Sequence, residues 1–466
     1  MKIKRILCAL LASSLILTAA SCSKNNDSTS SIGSSSSSVS NSSSDTSQTD
    51  DTENPVPADE IAKFDNLIEE EYKEELPSVA PVKEYTYTSI RSCKKLLESN
   101  DRYYLVEDNF NGGTVTAKVS CKNSNDNSLI WTKEYGANNI TSFTGAILLD
   151  NGDIVLSGAS SATEGIFADI KNDRDNTGII ICLDKDGNEK WMETWDEDTN
   201  DDAHESFNRI IKGNNNTIYL AGQYSDDDGY AAYIFAYDAN GNQLWKYNDP
   251  KATTVIDINY NGSDEVGLLC YYEGQSQASE QYALVRVNAN DGSAKNVNLI
   301  STTADSAYNT FIYAGDKVIF AGRYLDENYE LAHSVIDHDD EHAGTADLSY
   351  NRYAPGYLYA INSDGSKAWE YMSYGQWGGE MQKIWEYNGN LYAAGRRYST
   401  KSSSPGGVIL AGEMVLYELS MDGELLSRKI VENSSPDNEE WFFTDYMPDK
   451  DGLIAVKEIY EDTSNE

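Results

Sequence analysis

The stretch Cys182-Leu-Asp-Lys-Asp-Gly187, followed by Trp191, decides how this chain folds. An apolar run meets an Asp-Gly turn, and an aromatic residue comes four positions after the glycine. Asp-Gly or Asn-Gly between apolar runs is the strongest short-range signal for a β-hairpin. The unit recurs as Ala236-Tyr-Asp-Ala-Asn-Gly241 with Trp245, and as Ala360-Ile-Asn-Ser-Asp-Gly365 with Trp369. Asp291-Gly292 and Asp422-Gly423 are weaker copies with Asn296 and Ser427 in the aromatic's place, and a first copy has Asn127 in the glycine's place ahead of Trp131. Each Trp is expected to face a neighbouring sheet as part of a packing layer.

A second unit alternates with the first. It is a short apolar strand that often ends in Gly, at 154–158, 218–222, 318–322 and 391–395. Residues 103–107, 266–270 and 453–457 hold equivalent places without the Gly. A turn signal and another short strand precede each copy, so one repeat holds four strands joined by short antiparallel connections. Four-stranded units repeated along a chain are the sequence mark of a β-propeller. The expected fold is all-β: a single β-propeller over 83–460, with seven blades of four antiparallel strands. Six blades remain open as an alternative, because only six hairpins of the first type are present. Lys83–Thr88 (Lys-Glu-Tyr-Thr-Tyr-Thr) is placed to pair with the C-terminal strands and close the ring.

The Asp-x-x-Gly-x-x-x-Trp pattern within 237–247 resembles the repeat of pyrroloquinoline-quinone (PQQ)-type propellers. With the N-terminal features described below, the chain resembles bacterial surface lipoproteins carrying PQQ-like repeats. That resemblance implies a propeller fold and, most often, a scaffold or binding module. The quinone enzymes of the group use a carboxylate-bound calcium and often an adjacent Cys pair. This chain has no such pair, so no cofactor residue carries over and no cofactor is expected. The pattern differs from the sialidase Asp-box, whose Asp-x-Gly is followed by an aromatic three residues later.

The first residues read as an address. Lys2, Lys4 and Arg5 precede an apolar run at 6–20 that is short for a bilayer span. Ala19-Ala20-Ser21-Cys22 resembles a lipobox, making 1–21 a lipoprotein signal peptide and Cys22 the lipidation site. Half of residues 23–50 are serine, so 22–56 reads as a disordered tether. Over 57–77, Ile61, Phe64, Leu67, Ile68, Tyr72 and Leu76 share one helical face, which predicts an amphipathic helix ahead of the propeller. The expected location is the outer side of the bacterial cytoplasmic membrane, with the lipid as the only membrane contact. Cys182 and Cys270 fall in apolar strands and read as buried free thiols, with a disulfide as the alternative.

The chain of 466 residues carries 36 Lys and Arg against 76 Asp and Glu, a formal charge of −40. That balance argues against nucleic acid, which needs basic stripes. Within a blade, connections alternate between two faces. One face carries tight turns (184–187, 213–216, 388–390). The other is expected to carry long loops, at 159–177, 323–355 and 396–412 within blades and 196–206, 373–380 and 432–440 between them. Those loops hold acidic runs flanked by Trp195, Tyr224, Tyr324, Tyr374, Trp377 and Trp441, which together suggest an acidic, aromatic-rimmed binding face. His333, His338 and His342 cluster with Asp339 in the longest insertion, a spacing that can hold a divalent cation. The run His-Asp-Asp-Glu-His does not match the zinc-protease motif. Asp184-x-Asp186-x-Asn188 fits an ordinary hairpin turn better than a calcium loop. No catalytic motif stands out. The expected function is a non-catalytic binding or scaffold module for a peptide, glycan or envelope protein. A polysaccharide-acting enzyme and a structural envelope accessory are the alternatives.

Overall fold

The computed structural model describes residues 76–81, 83–88, 91–99, 101–111, 113–167, 176–196, 203–226, 229–272, 281–300, 307–324, 355–373, 379–404, 407–432, 441–449 and 452–459. Side chains are not described within 83–94, 398–413 and 441–459, nor at Asn111. The chain forms a β-propeller of seven sheets, numbered here as blades in chain order. Blades 1 to 6 each contain four consecutive strands, every one antiparallel to the strand before it. The first strands of blades 1 to 6 approach one another in succession, and that of blade 7, Trp441–Asp449, approaches that of blade 1, Arg91–Ser99. No helix among the described residues is long and apolar enough to cross a membrane. The expected amphipathic helix lies outside the described residues up to position 75. Leu76 and Pro77 are already extended toward the short strand Ser78–Val79.

The seventh blade departs from the expected four antiparallel strands. Its described strands are Trp441–Asp449, Gly452–Ile459 and Lys83–Thr88. The N-terminal strand closes the ring as anticipated, but it pairs parallel to its neighbour, from Lys83↔Ile454 to Thr88↔Ile459. Strand direction explains this. A strand that delivers the chain to the innermost strand of the next blade must run like a fourth strand, and fourth strands run in the direction of second strands. With no third strand between them, the two lie parallel. Ser78–Val79 also pairs parallel, adding a fifth strand to blade 6 beside the outer strand Leu425–Val431 before the chain reaches Lys83–Thr88. Its Ser78 Oγ donates to Glu432 Oε1 at 2.5 Å, and Val79 packs against the buried cluster of Trp385, Ala394, Met414, Leu416 and Val431.

The repeated Gly and Trp prove to be partners across blades. Each Trp docks on the turn of the following blade. Trp131 Nε1 donates to Lys185 O (3.1 Å), Trp191 Nε1 to Ala239 O (3.0 Å), Trp245 Nε1 to Ala289 O (3.1 Å) and Trp369 Nε1 to Met421 O (3.0 Å). The indole covers the turn glycine, so a Cβ on Gly187 would lie 2.9 Å from Trp131. Gly187 also has φ +83°, a region that disfavours side chains. One residue type thus satisfies both the turn and the seam. Asn127 takes the same left-handed geometry at φ 58°. Inside the turns, Asp184 and Asp238 accept from their own backbone: Asp184 Oδ1 receives Asp186 N at 2.9 Å and Asn188 N at 2.8 Å. These bonds, with that from the Asn188 side chain first, lower the Asp184 carboxyl below its usual range. The turn's own amides occupy the carboxylate, as the hairpin reading required.

The Gly at the end of the second strands answers a different need. All seven inner strands carry one extra residue at the same level: Lys94, Thr144, Asn208, Ile256, Asn309, Gln382 and Thr444. Opposite the residue before each bulge sit Glu107, Gly158, Gly222, Cys270, Gly322, Gly395 and Lys457, the terminal positions of the aligned second-strand units. A bulge bends its strand inward and crowds the partner. A Cβ on Gly158 would strike Ser142 O, and one on Gly322 would strike Ala307 O. Cys121, Cys182 and Cys270 are buried free thiols.

Two expectations about loops change. The segment 396–412 is no loop but the tip of a long hairpin, Asn390–Ser404 paired with Gly407–Leu419. In blades 1 and 3 the second and third strands are separated only by 112–113 and 227–228. Long second-to-third connections therefore belong to blades 2, 4 and 5, at 161–176, 273–280 and 324–355.

Candidate binding face and central channel

The bulges aim polar side chains from one inner strand to the next. Thr144 Oγ1 donates to Phe207 O. Arg209 Nε lies 3.8 Å from Asp257 Oδ1. Asp257 Oδ2 accepts from Thr310 Oγ1 at 2.6 Å and from Phe311 N at 3.4 Å. Asn309 Nδ2 donates to Glu380 Oε1 at 2.7 Å and Met381 O at 3.4 Å. These links join blades 2 to 6 in sequence around the axis, so the channel's polar groups spend their bonding capacity on holding the ring. Among the described residues, no three His, Cys, Asp or Glu side chains stand within reach of a common metal ion.

Burial raises the Asp257 carboxyl above its usual range, with Arg209 and then Thr310 pulling the other way. A carboxyl raised in the folded state stabilises it below the unfolded value near about 4, and that contribution is lost as pH rises through the folded value. Asp257→Asn should therefore gain stability relative to the parent as pH climbs from about 4 toward neutrality. Urea unfolding across that range would test this; a parallel pH dependence in both proteins would refute it.

The structure redistributes the aromatic residues expected on the long-loop face. Trp195 ends the outer strand of blade 2, but its residue is only 5% exposed. Its ring lies 4.8 Å from Phe235, 5.2 Å from Tyr233 and 5.4 Å from Phe207. It fills the seam over Gly178 and Gly222, which leave room for the ring. Trp195 is thus a core residue, not a rim residue. Tyr224 is half-buried and its hydroxyl donates to Asp226 Oδ2 at 2.7 Å, while Asp226 Oδ1 accepts Gly229 N at 3.0 Å. That acid closes its own hairpin. Tyr324 is half-buried with its ring 4.9 Å from Tyr357. Trp441 opens the last inner strand, opposite Ile459. Cys22, His333, His338, Asp339, His342, Tyr374 and Trp377 lie outside the described residues.

Sequence reasoning did not assemble a tyrosine belt between blades 4 and 5. Tyr271 and Tyr282 flank 273–280, Tyr308 follows 301–306, and Tyr324 and Tyr357 flank 324–355. Tyr282 and Tyr308 meet across the seam with ring centroids 5.3 Å apart, and each continues within its own blade, Tyr271–Tyr282 at 5.0 Å and Tyr308–Tyr357 at 6.2 Å. Tyr357 Oη donates to Glu370 Oε2 at 2.7 Å. Burial pushes the phenols of Tyr282, Tyr308 and Tyr357 well up. The belt's trace in the sequence was the excess of Tyr (32) over Phe (10), with tyrosines at strand ends.

No protein family and no curated protein matches the sequence. Solved structures do. A protein of unknown function from Bacteroides caccae shares 12% identity at a TM-score of 0.37, covering 77% of this chain and 99% of its own. The β-propeller domain of the Trilobed protease from Pyrococcus furiosus shares 7% at 0.38, covering 74% and 97%. A PL25 ulvan lyase shares 10% at 0.44, covering 80% and 88%.

Proposed function

We propose that this protein is a lipid-anchored, extracellular binding or scaffold module, held through Cys22 and engaging a peptide, glycan or envelope protein through the long-loop face at blades 4 and 5. The observation that supports this most is that the strand ends leading into and out of 273–280, 301–306 and 324–355 meet at one tyrosine belt. Variable connections on a rigid ring are where recognition concentrates. Tyr282, Tyr308 and Tyr357 are buried and hold the belt, whereas the half-buried Tyr271 and Tyr324 offer stiff rings with a polar tip, suited to sugar rings and peptides. The chain's entry also favours this face. Ser78–Val79 runs parallel to Leu425–Val431, which leaves the tight 420–424 turn and heads toward the long-loop side. The described chain thus enters this blade from the tight-turn side.

A Cys22→Ala form should leave the membrane fraction and bind, on glycan and peptide arrays, a ligand set that Tyr324→Ala, at a half-buried ring of the belt, weakens by about tenfold, the effect of losing a well-packed aromatic contact. Retention in the membrane would overturn the anchor. A blank array combined with turnover of a polysaccharide would overturn the non-catalytic reading.

A further inference from the structure

In four blades the docking Trp lies across the strand from a small residue, as Cys121↔Trp131, Cys182↔Trp191, Ala236↔Trp245 and Ala360↔Trp369. Blades 4 and 6 change both members together, to Arg286↔Asn296 and Glu418↔Ser427. In blade 6 the new charge is fully bonded. Glu418 Oε1 accepts Asn390 Nδ2 at 2.7 Å and Tyr392 Oη at 2.9 Å, and Oε2 accepts Ser427 Oγ at 3.0 Å. In blade 4 it is not. The Arg286 side chain is 6% exposed, and its Nη1 lies 3.7 Å from Glu265 Oε1. Its Nε and Nη2 are buried with no hydrogen-bond partner among the described residues.

A second buried donor faces the same seam. Gly267 is directly across from Arg286, and a Cβ on it would strike the Tyr313 hydroxyl of blade 5. Cross-strand neighbours share a face, so the guanidinium and this hydroxyl project from opposite sides into one seam. The hydroxyl too is buried and makes no hydrogen bond of good geometry, with the Glu265 carboxylate as its neighbour. Glu265 is meanwhile shared with Lys295, whose Nζ is 3.5 Å away and also 2.7 Å from Asp264. Leaving two donors of a buried guanidinium unmade is costly. The Nε–Nη2 edge is the fork that matches two oxygens of one anion.

We propose that the seam between blades 4 and 5 binds a small oxyanion, held by Nε and Nη2 of Arg286 with the Tyr313 hydroxyl as a third donor. The low exposure of Arg286 restricts the occupant to a group of few atoms, such as a phosphate or a small carboxylate. The site lies toward the tight-turn side, near the 289–293 turn, away from the face assigned to recognition.

The full mature chain would be titrated with inorganic phosphate and, separately, with acetate at constant ionic strength set by chloride, reading the unfolding midpoint and the binding heat. One of the two should raise the midpoint by about 3 °C at saturating concentration, and which one does so distinguishes a tetrahedral from a planar occupant. Tyr313→Phe should weaken that binding by about fivefold, as for one lost hydrogen bond. The double change Arg286→Ala with Asn296→Trp recreates the pair used in four other blades, so it should fold and lose the response. No response to either anion in the parent would mean that water alone fills the seam, and would overturn the proposal. So would an equal response in the double variant. Should that variant not fold, Tyr313→Phe decides, and undiminished binding there overturns the proposal.

Discussion

A chain that begins at residue 89 should lose the integrity of its last blade. Without Lys83–Thr88, the strands Trp441–Asp449 and Gly452–Ile459 remain as a two-stranded hairpin, which is marginal in water. The truncation also strips Ser78–Val79 from blade 6 and removes Leu76, which packs against the buried cluster shared by blades 5 and 6. Counting roughly 0.5–1 kcal/mol for each ladder bond, the loss is on the order of 4 kcal/mol. Hydrogen exchange should show residues 441–459 unprotected, and the unfolding midpoint should fall by several degrees. Unchanged protection of that segment would show that the N-terminal strand is an ornament on a ring closed by other means.

Gly322→Val should be comparably damaging for a different reason. The atoms nearest to a Cβ there are Ala307 O, Ala307 C and Tyr308 Cα, all backbone of the bulged inner strand. No rotamer change relieves the collision, so the bulge itself must move, along with Asn309 and its bonds to Glu380 Oε1 and Met381 O. Overpacking of this kind costs about 3 kcal/mol or more. Gly389→Ala is the control. Gly389 has φ +80° but nothing within 4 Å of a Cβ, so only the conformational cost of about 1 kcal/mol applies. Chemical denaturation of both variants separates the two mechanisms. Equal losses would mean that the second-strand glycines serve backbone conformation and not clearance.

Much of this architecture was legible because its causes are local. Asp-Gly turns advertise themselves, and the second-strand units aligned correctly at all seven positions from Glu107 to Lys457. The glycines at 158, 222, 322 and 395 were visible, but their reason was not. The bulge they accommodate is built from Lys, Thr, Asn, Ile, Asn, Gln and Thr, residues with no shared chemistry to read. That Trp191 reaches the next blade's turn and not its own is a fact of sheet stacking, which no periodicity reports. The hairpin through 396–412 was hidden by Ser-Thr-Lys-Ser-Ser-Ser and Pro405-Gly406-Gly407, a composition that reads as loop. Trp195 misled for a related reason: its place at a strand end says nothing about the empty space that Gly178 and Gly222 reserve for it. The parallel direction of Lys83–Thr88 was equally silent, because an alternating pattern carries no polarity. The site stayed least legible of all, since the tyrosine belt and the Arg286 seam are each assembled from two blades.

The closing strand has a consequence for how the molecule comes into being. Lys83 must find Ile454, and Thr88 must find Ile459, so the pairing that completes the ring joins nearly the two ends of the body. Contacts so distant along the chain form late, after shorter-range pairings have shrunk the search. Made or exported from its N-terminus, this chain presents its clasp first and the matching strand last. The clasp must stay unpaired, an open edge inviting other strands, until almost all the protein has arrived.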